Sequence, residues 1–170
     1  QRQMCIRDRS KIEAGVLDLY YSEFGLNGVL VTLRGVVGSR LQSGVDLIFE
    51  PGMPDDYIVY SEKNRLQQLV LNFLTNARKF TSTGSIRYGY EVREKDIYYY
   101  VTDTGTGIPE DKLHLIFERF IKLDSFKQGT GLGLPICQLI IQNMGGEIGV
   151  NSKLGEGSTF WFTLPLKPKQ

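Results

Sequence analysis

The sequence predicts one layered α+β domain, with helices packed on a mostly antiparallel sheet. Three observations carry this reading. At 170 residues the chain is the size of one ordinary domain, long enough to bury a real core and too short for two well-developed ones. Segments with apolar residues at helical spacing alternate with segments rich in strand formers. Consecutive strand segments are joined by short turns, Arg93-Glu94-Lys95-Asp96 and Leu154-Gly155-Glu156-Gly157.

The domain is expected to span residues 17–170, after a leader of residues 1–16. Met4-Cys5-Ile6-Arg7-Asp8-Arg9 shares no helical or strand period with the segment after it and resembles a transposon-type sequencing adaptor translated in frame. Residues 1–9 are therefore expected not to be genuine, with the true sequence resuming near Ser10; resequencing the locus decides this. Ser10 to Val16, with Gly15 as a stop signal, reads as the end of a helix arriving from upstream.

Leu17 to Phe24 is rich in strand formers, and Leu26, Leu30, Leu33, Val37 and Leu41 then recur at helical spacing. Val45–Glu50 and Tyr57–Tyr60 read as two strands around the Pro51-Gly52-Met53-Pro54 turn, and a hairpin is expected there. Ser61-Glu62 supplies capping chemistry for a helix over Glu62–Phe80, whose apolar stripe is Leu66, Leu69, Val70, Phe73, Leu74 and Ala77. Thr81 to Gly84 breaks that helix. Two alternating, Tyr-rich strands come next, Ser85–Arg93 and Asp96–Thr102, then helices over Pro109–Arg119 and Leu134–Met144, and strands Glu147–Ser152 and Ser158–Leu164.

Bulk composition excludes some partners. The 20 basic and 19 acidic residues nearly cancel, so no global field recruits nucleic acid or an anionic membrane surface. Cys5 and Cys137 match neither a disulfide framework nor a zinc spacing, which suits a reducing compartment, and the cytoplasm is the expected location. No apolar run approaches the roughly 20 residues of a membrane span, so this fragment is expected to make no membrane contact. A longer parent could still be anchored in the inner membrane.

Several residues carry candidate chemistry. Asn72, Asn76 and Lys79 fall on one helix face at i, i+4 and i+7. Carboxamide oxygens suit Mg²⁺ and an ammonium neutralises phosphate, although a solvated face with incidental Asn has the same pattern. Asp103 ends an aromatic strand directly before Gly105 and Gly107, where a carboxylate can accept from the exocyclic amine of adenine or simply cap a turn. Gly129-Thr130-Gly131-Leu132-Gly133-Leu134 leads into a helix, whose N-terminal N–H groups attract anions. Glycines in both clusters allow close backbone approach to a polyphosphate.

Order and spacing together are more specific. An Asn-x-x-x-Asn-Ala-x-Lys-Phe helix, then Asp-x-Gly-x-Gly, then Phe117-Glu118-Arg119-Phe120, then Gly-Thr-Gly-Leu-Gly-Leu resembles the ATP-binding catalytic domain of sensor histidine kinases. The resemblance runs from about Ser10 to Leu166 and implies a Bergerat-type ATP-binding fold. That fold is a two-layer α/β sandwich, with a mixed, mostly antiparallel sheet of about five strands on about three helices.

Carried over by residue, the resemblance implies that Asn76, with Asn72 one turn earlier, holds Mg²⁺. Lys79 and Lys122 would contact phosphate and Asp103 would read adenine. Phe80, Ile108, Leu134 and Thr159 would lie near the base, with Gly105 and Gly107 giving close approach. Gly129, Thr130, Gly131, Leu132 and Gly133 would flank the phosphates, under a lid at about Leu123–Gln128. Gyrase-like relatives carry a Glu general base where this chain has Asn72, so transfer to an acceptor is favoured over hydrolysis. The lone His114 lacks the acidic neighbour of a phosphoacceptor and is expected to have a structural or surface role.

The implied acceptor is a histidine on a dimerisation hairpin, of which Ser10–Gly15 resembles the tail. The implied partners are that hairpin in a homodimeric parent and a response-regulator receiver domain. A degenerate nucleotide-sensing module without kinase activity is the alternative.

Overall fold

The computed structural model describes residues 18–116 and 133–168. In chain order the elements are β1 (Ser22–Gly25), α1 (Leu26–Gly38), β2 (Val45–Glu50), β3 (Ile58–Ser61), α2 (Lys63–Phe80), β4 (Gly84–Val92) and β5 (Asp96–Asp103). A 3-10 segment (Glu110–Leu115), α3 (Leu134–Asn143), β6 (Glu147–Lys153) and β7 (Gly157–Pro165) complete them. The main sheet has five strands in the order β2-β4-β5-β7-β6, and β1 pairs with β3 in a separate two-stranded sheet. Only β2 and β4 run parallel among the main-sheet pairs, so the sheet is mixed and mostly antiparallel, as expected.

The expected hairpin between residues 45–50 and 57–60 does not form. β2 lies parallel to β4, with Val45 opposite Gly84, whereas β3 pairs antiparallel with β1, with Ser61 opposite Ser22. The reason lies in the intervening loop, which is held by side chains rather than closed on itself. Asn27 Nδ2 donates to the Met53 carbonyl at 2.9 Å and to Asp55 Oδ1 at 2.8 Å, and the Tyr90 hydroxyl donates to Asn27 Oδ1. A Cβ on Gly52 would lie 2.2 Å from the Tyr90 carbonyl oxygen, so only glycine lets the loop pass so close to β4. The loop thus delivers the chain to the far sheet.

α2 crosses the sheet as its apolar stripe dictates. Leu66, Leu69, Val70, Phe73, Leu74 and Ala77 are all buried. Its N-terminus is capped by Glu62, whose Oε1 accepts from the backbone N–H of Asn64 at 3.0 Å and Arg65 at 3.3 Å. Phe73 meets Phe162 edge-on, with centroids 5.4 Å apart, and Tyr99 stacks on Phe162 at 4.9 Å. Period-2 alternation sends Ile97, Tyr99, Val101 and Asp103 of β5 into this core. Tyr98 and Tyr100, on the opposite face, stack on each other, and Tyr98 packs beside Trp161.

The segment expected to be a helix over Pro109–Arg119 is 3-10 from Glu110 to Leu115 in its described part. Phe73→Ala removes the ring at the centre of the core and should lower unfolding free energy by about 3–5 kcal/mol, measured by urea titration.

Candidate functional site

The site is built where β5 ends. Asp103 is its last residue, on the face toward the helices, and only 4% exposed. Its Oδ1 accepts from the Gly105 N–H at 2.9 Å. Burial pushes its carboxyl above the ordinary carboxylate range, and the backbone N–H groups of Gly105 and Ser158 offset part of that rise. The carboxylate is therefore desolvated yet oriented, a state suited to accepting from a ligand's N–H groups.

The loop after Asp103 is fastened on both sides. Thr106 N–H donates to the Phe80 carbonyl at the end of α2 (3.1 Å), and the Thr106 carbonyl accepts from Gly155 N–H (2.8 Å). Ile108 N–H donates to Ser152 Oγ at 2.8 Å, and Ser152 Oγ lies 2.7 Å from Ser158 Oγ. A Cβ on Gly105 would stand 2.1 Å from the Phe80 carbonyl oxygen. Gly107, at φ +72°, would place one 2.2 Å from the Lys153 carbonyl oxygen. These two glycines seat the loop against protein backbone, in addition to whatever room they leave for a ligand.

Ile108 and Leu134 are buried, and Phe80 is half-buried at the last position of α2. Asn72, Asn76 and Lys79 share the half-buried flank of the same helix. Asn72 Nδ2 donates to Cys137 Sγ at 2.8 Å, which couples α2 to α3. Cys137 is fully buried, and burial pushes its thiol up to about 12, so it stays protonated. Gly133 is the N-cap residue of α3, with Pro135 in the first turn. Lys122, Gly129, Thr130, Gly131 and Leu132 lie outside the described residues, as do Phe117–Phe120 and the expected lid. His114 is exposed on the 3-10 segment.

Thr159 is not brought to the site. It stands opposite Thr102, with the two hydroxyls 2.9 Å apart, on the sheet face turned away from the helices. The residue on Asp103's face is Ser158, directly opposite it in the register and 7% exposed. Alternation could have found it, since Ser158 shares parity with the inward Phe160 and Phe162.

Over residues 61–168 the sequence matches the family described as histidine kinase-, DNA gyrase B-, and HSP90-like ATPase. The chain belongs to that family. It is 37% identical over 172 residues to hybrid signal transduction histidine kinase B of Dictyostelium discoideum, covering 94% of this chain and 9% of that protein. It is 34% identical over 173 residues to the autoinducer 2 sensor kinase/phosphatase LuxQ of Vibrio vulnificus, covering 95% of this chain and 20% of that one. The chain thus spans about a fifth or less of these relatives.

Among solved structures, full-length ShkA in complex with AMPPNP superposes with a TM-score of 0.81 at 29% identity, over 95% of this chain and 35% of that one. The nucleotide-free catalytic domain of histidine kinase ThkA gives 0.76 at 29% identity, over 86% and 96%. Fold, order of motifs and relatives agree on the ATP-binding catalytic domain of a sensor histidine kinase. Among the described residues no helix is long and apolar enough to cross a membrane.

The raised carboxyl of Asp103 has a sign that can be measured. The folded chain holds this proton more tightly than the unfolded chain, so the group's stabilising contribution is present at acid pH and lost as pH rises through the raised value. Asp103→Asn keeps an acceptor for Gly105 N–H and removes the buried charge. In thermal melts without nucleotide it should exceed the parent's stability near neutral pH, with the difference closing as pH falls into the acid carboxylate range.

Proposed function

We propose that this domain binds Mg-ATP and donates the γ-phosphoryl group to a histidine on a dimerisation hairpin of its parent kinase. The observation that carries the reading is the buried, oriented Asp103 carboxylate, followed by a loop fastened to the C-terminal end of α2, the helix that bears Asn72, Asn76 and Lys79, in a chain of histidine kinase ancestry. Asp103 accepts from the adenine amine, and Phe80, Ile108 and Leu134 contribute apolar surface to the base. Ser158 backs the carboxylate from β7. Lys79, with Lys122 and the glycine segment Gly129–Gly133, neutralises and cradles the phosphates.

The α2 carboxamides fit Mg²⁺ in the way that ion is ordinarily shared with phosphate. Asn76 and Asn72 would supply one or two oxygens, and among the described residues no cluster of three or more His, Cys, Asp or Glu could hold a metal by itself. With its Nδ2 turned to Cys137 Sγ, Asn72 would meet a cation through its oxygen. Bound Mg²⁺ would neutralise charge that builds on the phosphate oxygens during transfer.

In the transfer, the bond from the γ-phosphorus to the bridging oxygen breaks, ADP leaves, and an imidazole nitrogen of the acceptor bonds to phosphorus. Asn72 is no general base, so the chain positions and neutralises rather than activating water. Domain limits of 17–170, a cytoplasmic location and a homodimeric parent belong to the same reading. So does a response-regulator partner, supported by the structure of ThkA in complex with the response regulator TrrA, which superposes at a TM-score of 0.73 and 25% identity.

Radiolabelled ATP mixed with this chain and a separate acceptor hairpin tests transfer in trans; label on the hairpin histidine is expected, and multiple-turnover hydrolysis at ordinary enzyme rates would instead favour a self-contained ATPase. Asn76→Ala should abolish the Mg²⁺-dependent part of ATP affinity in calorimetric titration while leaving the fold intact. Asp103→Asn should erode the preference for ATP over GTP, and a parent chain that binds both equally would contradict the assignment.

A further inference from the structure

Thr81 comes directly after the last residue of α2 in extended backbone (φ −118°, ψ 111°), and it is 2% exposed. Its Oγ1 is a buried side-chain polar atom with no hydrogen-bond partner, the one such atom among the described residues. A hydroxyl withdrawn from water without a partner is costly, and in folded proteins such groups are met by a ligand or an ordered water.

The neighbourhood of this hydroxyl narrows what it meets. A Cβ on Gly105 would stand 2.9 Å from Thr81 Oγ1, while the Gly105 N–H donates to Asp103 Oδ1 at 2.9 Å. One glycine therefore separates an unpartnered hydroxyl from an oriented, buried carboxylate.

We propose that Thr81 is a second determinant of nucleobase recognition, acting beside Asp103; this rests on the reading of Asp103 as the adenine-binding carboxylate. The carboxylate accepts from the exocyclic amine, and the hydroxyl donates to an adjacent ring nitrogen, directly or through one ordered water. An acceptor next to a donor on the protein matches the amine beside a ring-nitrogen acceptor on adenine. Guanine presents a carbonyl where adenine has the amine, so the pair fits one purine better than the other.

Three variants, Thr81→Val, Thr81→Ala and Thr81→Ser, are compared with the parent by calorimetric titration with ATP and with inorganic tripolyphosphate, and by thermal melting without ligand. Thr81→Val and Thr81→Ala should bind ATP about tenfold more weakly, while Thr81→Ser, which restores the hydroxyl, recovers most of the affinity. Tripolyphosphate, which has no base, should be bound alike by all four proteins. Thr81→Val should melt at or above the parent, since it removes a buried polar atom that lacks a partner. ATP affinity unchanged in both Val and Ala variants, or an equal loss for tripolyphosphate, would overturn the inference while leaving the proposed function standing. A parent chain that does not bind ATP would overturn both.

Discussion

The row of inward side chains on β5 is the constraint on which the rest of the site depends. Ile97, Tyr99 and Val101 fill the core beneath α2, and the same alternation carries Asp103 into the fourth inward position. The carboxylate is thus buried by the register of a central strand flanked by β4 and β7, not by a mobile loop. Shifting that register by one residue would turn Asp103 outward and Thr102 inward, and would expose the aromatic core at the same time. Packing of the core and aim of the carboxylate are one property.

Glycines around Asp103 serve this arrangement first. Gly157, at φ +113°, would place a Cβ 2.0 Å from the Asp103 carbonyl oxygen, and Gly105 and Gly107 press their loop against α2 and the β6–β7 turn. Backbone contacts that close leave little freedom at the base of the site. Farther out, Phe80, Asn72, Asn76 and Lys79 are half-buried, less enclosed than the carboxylate.

Much of this is legible in the residues. The α2 stripe, the cap at Glu62, the Tyr-rich strand pair and the final β6–β7 pair come from local period and turn chemistry, which depend only on neighbours in sequence. The Asn-x-x-x-Asn helix face and the Asp-x-Gly-x-Gly loop are readable for the same reason. The β2–β3 hairpin is not, because a Pro-Gly turn between two short strands does not reveal that Asn27 and Tyr90 hold the loop from outside. Ser158 and Thr159 are adjacent hydroxyl residues that look alike until the register with Asp103 and Thr102 is known, which is why the expectation falls on Thr159 although Ser158 is the one that shares Asp103's face.

By itself the sequence determined the type of nearly every described element and the residue types available for a nucleotide, since these rest on local pattern along the chain, and the order of its motifs carried the resemblance to histidine kinases. Tertiary structure decided which strands pair, which face Ser158 and Thr159 take, that Asn72 leans on Cys137, and that Thr81 keeps an unpartnered hydroxyl beside the Gly105 loop. Those outcomes depend on contacts between residues far apart in the chain, where burial and hydrogen-bond partners are set by the whole packed core rather than by any local pattern.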